Sequence, residues 1–308
     1  MRSPHIEPAA APAEDFWLQY ALGRLVTSPA WLDRALRHGA AALGEVPEAT
    51  QALLLPMLQR QGRRIRIVAQ ILDERLLKNV LRFLPLTAAA GAPALLSQLW
   101  RAFRHEREDA DWRDHHACAR AFCASACARL RAEAAGVADE RIADLMRYEG
   151  AVLRMDARAR TVHAPRTPAS DSVVGWDARA CPAPVACCEQ ASFAWSISEC
   201  VRALRAGGAA AAPCIALPAA ESTPETLLFF ASWHDRQVRT LRVAPAVLAL
   251  MAACEGCTTV ADLSALLGRP GCPAALQGTL HKLQQIGLLR PAEPATHPQP
   301  ALTSEDSA

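Results

Sequence analysis

The chain has 308 residues, of which 51% are hydrophobic, 21% charged and 5% aromatic, enough for about two domains with apolar cores of their own. Its net charge of +2 divides into 24 basic and 19 acidic residues over 1–170 and 9 basic and 12 acidic over 171–308, and neither half carries the strong basic field that non-specific nucleic-acid binding needs. No charge-free run reaches the roughly 20 apolar residues of a transmembrane helix, and Glu7, Glu14 and Asp15 speak against a secretory signal, so a cytoplasmic protein with mostly reduced cysteines is expected.

Residues 1–14 are rich in Pro and Ala and are expected to be disordered. A helical domain is expected over 15–160. Phe16, Trp17, Tyr20, Leu22 and Leu25 open the first helix, and Ser28-Pro29 is a helix start followed by the apolar Trp31, Leu32, Ala35 and Leu36. Ile65, Val68, Leu72, Leu76, Val80 and Leu84 recur at three- and four-residue steps, which predicts a long amphipathic helix ending near Pro85 with these residues on its inner face. Further helices are expected at Pro93–Arg107, Asp111–Glu133 and Ala138–Met155.

The Pro/Ser/Thr/Arg stretch 161–171 reads as the linker. Beyond it, Ser172–Trp176 and Cys188–Trp195 read as strands, and Ser198 as the cap of a helix Glu199–Ala206. Two β-prone runs, Thr226–Trp233 and Gln237–Val243, are joined by His234, Asp235 and Arg236 and read as a hairpin. Three short helices follow at Ala244–Ala253, Thr259–Leu267 (capped by Thr258 or Thr259) and Pro273–Ile286, with Gly287 as terminator and Leu288-Leu289 opening a closing strand. The tail, 291–308, is expected to be disordered. The fold class is therefore α+β: an all-helical N-terminal domain, then an α/β domain over 172–290 with a winged-helix-like module.

Four patterns could carry chemistry. His105, several acids, His116, Cys118, Cys123 and Cys127 crowd one region, but one helix face seldom supplies the three or four converging ligands that a metal needs. Capping by Asp109 or Asp111 and packing of small side chains explain the cluster better. Cys254-Glu-Gly-Cys257 ends a helix rather than starting one after a strand, so a packing role with Gly256 as a C′ turn is favoured over redox chemistry. Cys181, Cys187 and Cys188 lie near acids without a nucleophile motif. No catalytic constellation is expected, and no metal ligands. The fourth pattern is the hairpin with its three helices. A DNA-reading helix needs cations, but Pro273–Ile286 offers His281 and Lys282 beside Gln277, Gln284 and Gln285. Strand addition of an extended peptide suits the composition better, with Arg236, Arg239 and Arg242 placed to hold its acids.

Residues Thr226–Arg290 resemble the peptide-recognition winged helix of pathways that modify ribosomally made peptides. The resemblance rests on the two strands, on Leu248 to Gly256, on Thr259 to Leu263 and on Leu280 to Leu289. Phe83 to Thr87 and Ile142 to Glu149 are similar to the helical domain of the partner subunits that accompany iron-dependent TIM-barrel oxidases, and Ala191 to Leu204 followed by Leu227 to Trp233 is similar to their downstream domain. The resemblance implies a non-catalytic subunit that binds the leader of a precursor peptide and presents its Cys to the TIM-barrel oxidase, with the iron in that partner and no cofactor held by this chain. It implies docking along Gln237–Val243 and Pro273–Ile286, at Arg236, Val238, Arg239, Thr240, Arg242, Gln277, Leu280, His281 and Gln284. Neither nucleic acid nor membrane is expected as a partner. The alternatives are a winged-helix DNA-binding regulator and a cysteine-based metal or redox sensor.

Overall fold

The computed structural model describes residues 14–107, 112–133, 136–161, 175–207, 223–267 and 273–292. They form a mainly helical α+β chain with small antiparallel sheets, divided into two compact units: Met1–Leu153 with Ile197–Ala220, and Arg154–Ser196 with Glu221–Ala308.

The first unit holds α1 (Glu14–Thr27), α2 (Pro29–His38), a 3-10 turn (Gly39–Leu43), α3 (Glu48–Leu81), α4 (Pro85–Ala90), α5 (Pro93–Glu106), α6 (His115–Glu133), most of α7 (Val137–Thr161), and α8 (Ile197–Ala206). Helix α2 starts as its sequence dictates: Ser28 is extended, its Oγ accepts the Trp31 N–H at 3.2 Å, and Pro29 fills the first helical position, where no N–H is needed. Ala21, Leu25, Trp31, Leu32, Leu54 and Leu58 make one core. Val80, Leu84, Trp100, Phe103, Phe122 and Met146 centre a second, where the Trp100 and Phe122 rings meet edge to face with centroids 5.4 Å apart. Cys118, Cys123 and Cys127 are buried in that same core.

Three expectations are corrected here. The α6 cap is Asp114, whose Oδ1 accepts the Ala117 N–H at 2.9 Å, and the helix starts at His115; Asp109 and Asp111 lie outside the described residues. Helix α3 begins far upstream of Ile65 and buries Leu54, Leu58, Ala69, Leu77 and Val80, while Val68 and Leu72 point to solvent. Aliphatic rows run along both sides of this helix, so three- and four-residue spacing alone does not select the inner one. Finally, α8 starts at Ile197, so Ser198 lies inside the helix rather than capping it.

The second unit contains the end of α7, β1 (Pro182–Pro184), β2 (Cys188–Phe193), β3 (Glu225–Ala231), β4 (Val238–Arg242), α9 (Pro245–Ala253), α10 (Val260–Leu266), α11 (Pro273–Gln285) and β5 (Leu289–Pro291). The larger sheet has the order β2-β3-β4, antiparallel throughout, and β1 pairs with β5. Central β3 is buried on both faces, which explains its unbroken apolar run Leu227 to Ala231. Leu228 and Phe230 pack with Leu250, Leu263, Leu280 and Leu283 of the three helices. On the opposite face Ala231 meets Cys187 and Ala159 of α7, and Glu189 of β2 takes a two-pronged ion pair from Arg154.

The units part inside α7, between Leu153 and Arg154, and α8 belongs with the helical unit, where it packs on α4. Apart from Thr161, the stretch 161–171 lies outside the described residues, as do both termini assigned to disorder except Glu14, Pro291 and Ala292. Of the strand expected at Ser172–Trp176, Gly175 and Trp176 are described and are not in a strand. Strand β1 was not anticipated, because Pro-Ala-Pro reads as a loop; as an edge strand it needs few ladder N–H groups. Among the described residues no helix is long and apolar enough to cross a membrane.

Candidate functional site

The hairpin between β3 and β4 is built by short-range bonds. The Ser232 N–H donates to the Gln237 carbonyl at 3.0 Å and the Arg236 N–H to the Ser232 carbonyl at 2.8 Å, with Arg236 at φ 59°. Burial opposes the charge on Asp235. The Gln237 N–H at 3.0 Å and the Arg239 guanidinium at 2.8 Å outweigh it and hold the carboxyl below the usual range.

Four bonds then fasten the hairpin to the end of α11 and the start of β5. Trp233 donates its N–H to the Gly287 carbonyl at 3.2 Å and its Nε1–H to the Leu289 carbonyl at 2.9 Å. His234 Nε2 lies 2.9 Å from the Gln284 carbonyl, and Arg239 donates to the Ile286 carbonyl at 3.3 Å. Carbonyls at the helix end that would otherwise lack partners are thereby satisfied. Gly287 has φ 80°, and a Cβ there would come within 2.1 Å of the Ser232 Oγ. Only glycine permits this approach.

The sheet register sorts the expected site residues. Ser232 pairs with Gln237 and Thr226 with Val243 through ladder bonds, so alternation sends the backbone N–H and C=O of Val238, Thr240 and Arg242 away from β3, toward the outer edge. The side chains of these three share the face opposite α9–α11. Arg239 is on the helix side and committed to Asp235 and Ile286, while Arg242 lies 3.8 Å from the buried carboxylate of Glu225. Arg236 is in the turn, beside a notch of about 120 Å³ with Cys187, Trp233 and Arg290. The three arginines therefore do not form one row.

On α11, Gln277 donates to the Trp176 carbonyl at 2.9 Å and His281 pairs with Gln285 at 2.9 Å. Leu280 and Gln284, two of the expected site residues, are buried: Leu276, Leu280 and Leu283 form the inward stripe of the helix, a spacing legible in the sequence. Trp233, His234 and Gly287, which join hairpin to helix, went unrecognised there as a group, since no local signal links residues more than fifty positions apart.

Two of the buried cysteines are poorly disposed to react. Burial pushes the thiols of Cys118 up to about 12 and of Cys254 up to about 11, far from the thiolate state that attack requires. Cys254 closes α9 and Gly256 turns the chain at φ 81°, while Thr259 caps α10, its Oγ1 accepting the Asp262 N–H at 3.2 Å. Among the described residues no three His, Cys, Asp or Glu side chains gather as a metal site.

The helical unit has a cleft of about 370 Å³ lined by Phe83, Pro85, Leu86, Tyr148, Leu204 and Arg205. Glu149 is at its wall, buried, with one carboxylate oxygen accepting the Leu86 N–H and the other the Thr87 N–H, each at 2.8 Å. Burial pushes its carboxyl up to about 7, against the opposing pull of the Thr87 hydroxyl, these amides and Arg205. The contact joins residues 62 and 63 positions apart and was not anticipated.

No known protein family matches the chain, and no curated protein matches it.

Proposed function

We propose that this chain is a non-catalytic subunit that binds the leader of a ribosomally made precursor peptide and presents its Cys to a partner iron-dependent TIM-barrel oxidase. The second unit is read as winged-helix-like, with the sheet β2-β3-β4 followed by α9, α10 and α11. The single observation that carries the reading is that β4 is the outer strand of this sheet, with α11 tied beside it through Arg239. An extended peptide adds to such an edge by main-chain bonds, and adjacent side chains select its sequence. Val238 and Arg242 are the site residues best placed on that edge, with Thr240 between them and His281 and Gln277 on the neighbouring helix. Tethering the leader would raise the effective concentration of the reacting Cys at the partner's iron to roughly millimolar for a short flexible linker. The oxygen chemistry in this reading belongs to the partner.

The test is fluorescence anisotropy with the purified full-length chain and the labelled leader of a candidate Cys-containing precursor peptide, with and without the partner oxidase. Binding that weakens on substitution in β4 supports the reading. Absence of leader binding in both conditions, or tight and steeply salt-dependent binding of duplex DNA instead, rejects it.

A further inference from the structure

The solvent side of α3 carries an apolar island left exposed among the described residues. Ile67 is 48% exposed, Val68 47%, Ile71 58% and Leu72 39%. Spaced as two i, i+4 rows, they form adjacent ridges with a shallow groove between them. Within two turns toward the N-terminus stand Arg60, Arg63 and Arg64, and within two turns toward the C-terminus Arg75 and Lys78, all exposed. Positions 60, 64, 67, 71, 75 and 78 follow at three- and four-residue steps, so cations and island share one stripe about 27 Å long.

None of these five cations is paired with a carboxylate among the described residues. The nearby acids are otherwise engaged: Asp73 turns away to Arg104 at 2.8 Å, Asp33 lies 3.6 Å from Arg66, and Glu74 accepts from Gln70 at 3.1 Å. Leu72 and Arg75 also edge a cleft of about 400 Å³ that runs toward Trp112, so the island leads into a recess able to take a protruding side chain.

We infer that this face of α3 docks an acidic amphipathic helix of a partner protein, its aliphatic side chains on Ile67, Val68, Ile71 and Leu72 and its carboxylates on the flanking cations. Charge complementarity chooses the occupant. A second copy of the chain would set one five-cation stripe against another, which is repulsive. An anionic membrane is less suited, because the island spans two turns and has no aromatic residue to sit at the headgroup level. Nucleic acid would use the cations and leave four aliphatic side chains against phosphate. The inference concerns the helical unit and does not depend on the leader-binding reading.

The experiment uses the full-length chain and fluorescence anisotropy, with four probes: a synthetic helix with leucines at i, i+3, i+4 and i+7 flanked by glutamates, the same helix with lysines for glutamates, vesicles of equal parts phosphatidylcholine and phosphatidylglycerol, and a DNA duplex. The acidic helix is expected to bind, its lysine counterpart not to bind, and affinity to fall with added salt. Ile71→Ser and Arg64→Glu should each weaken binding by about tenfold or more, while melting temperature stays near that of the parent because both positions are exposed. The inference is overturned if the acidic helix does not bind, if either substitution leaves its affinity unchanged, if vesicles or duplex bind more tightly, or if self-association of the chain requires Ile71.

Discussion

A carboxylate buried in the helical unit makes stability depend on pH with a defined sign. Glu149 is pushed up to about 7 in the folded chain from an ordinary value of about 4.3 when unfolded. Between those values the folded state holds a proton that the unfolded state has released, so this group's contribution is full below the unfolded value and is lost as pH rises through 7. In Glu149→Gln the titration is gone. The stability of the parent relative to that variant should therefore grow as pH falls from 8 to 5, by up to about 3 kcal/mol; denaturant titrations of both proteins across that range measure it. A constant difference would mean that Glu149 titrates normally. Gly287 offers a second test at this scale. Gly287→Ala adds a Cβ onto the Ser232 Oγ at a positive φ and should cost more than about 2 kcal/mol. Gly278→Ala, inside α11 with nothing near the added carbon, should stabilise by roughly 0.5–1 kcal/mol. Thermal melts of the two variants should move in opposite directions.

Among the elements, β4 carries most of the functional reading. Its first residue, Val238, directs its N–H outward, so Val238→Pro removes one donor from the edge without breaking the ladder to β3, at a position where proline is tolerated. Leader affinity is expected to drop by about tenfold with the melting temperature nearly unchanged, measured by anisotropy and calorimetry. Unaltered affinity would place the leader elsewhere. The elements also show what can be read locally. Ser28-Pro29, Thr259, Gly287 and the hairpin follow short-range rules of capping and turn chemistry, and each is found where those rules put it. The inner face of α3 was misread because two aliphatic rows compete on one helix, and tertiary packing on α1 and α2 selects between them. Asp114 displaced Asp109 and Asp111 as the α6 cap for a similar reason: several acids precede that helix, and local chemistry does not rank them.

For the whole molecule, the charge asymmetry of the sequence acquires locations. The basic excess of the first half includes the stripe along α3, whereas the second half is net acidic yet supplies the proposed peptide edge, where Arg236 and Arg242 are placed on different features and Arg239 is already engaged. The α+β class and the order β2, β3, β4, α9, α10, α11 and β5 were legible, because hydrophobic runs and turn residues encode them locally; β1 was not. The placement of the expected site residues was legible in part. Val238, Thr240 and Arg242 lie along the outer edge of the sheet, but Leu280 and Gln284 face the core, a distinction that the three- and four-residue spacing of α11 already held. Glu149 and the Trp233–Gly287 junction had no local signature, since both join segments distant in sequence. The central claim meets its most direct test in one titration: labelled leader against the full-length chain, followed by anisotropy, beside the same titration with duplex DNA. The account predicts saturable leader binding, weakened in Val238→Pro, and DNA binding that is absent or far weaker. Preference for DNA, or no response to the leader with the partner oxidase present, would contradict it.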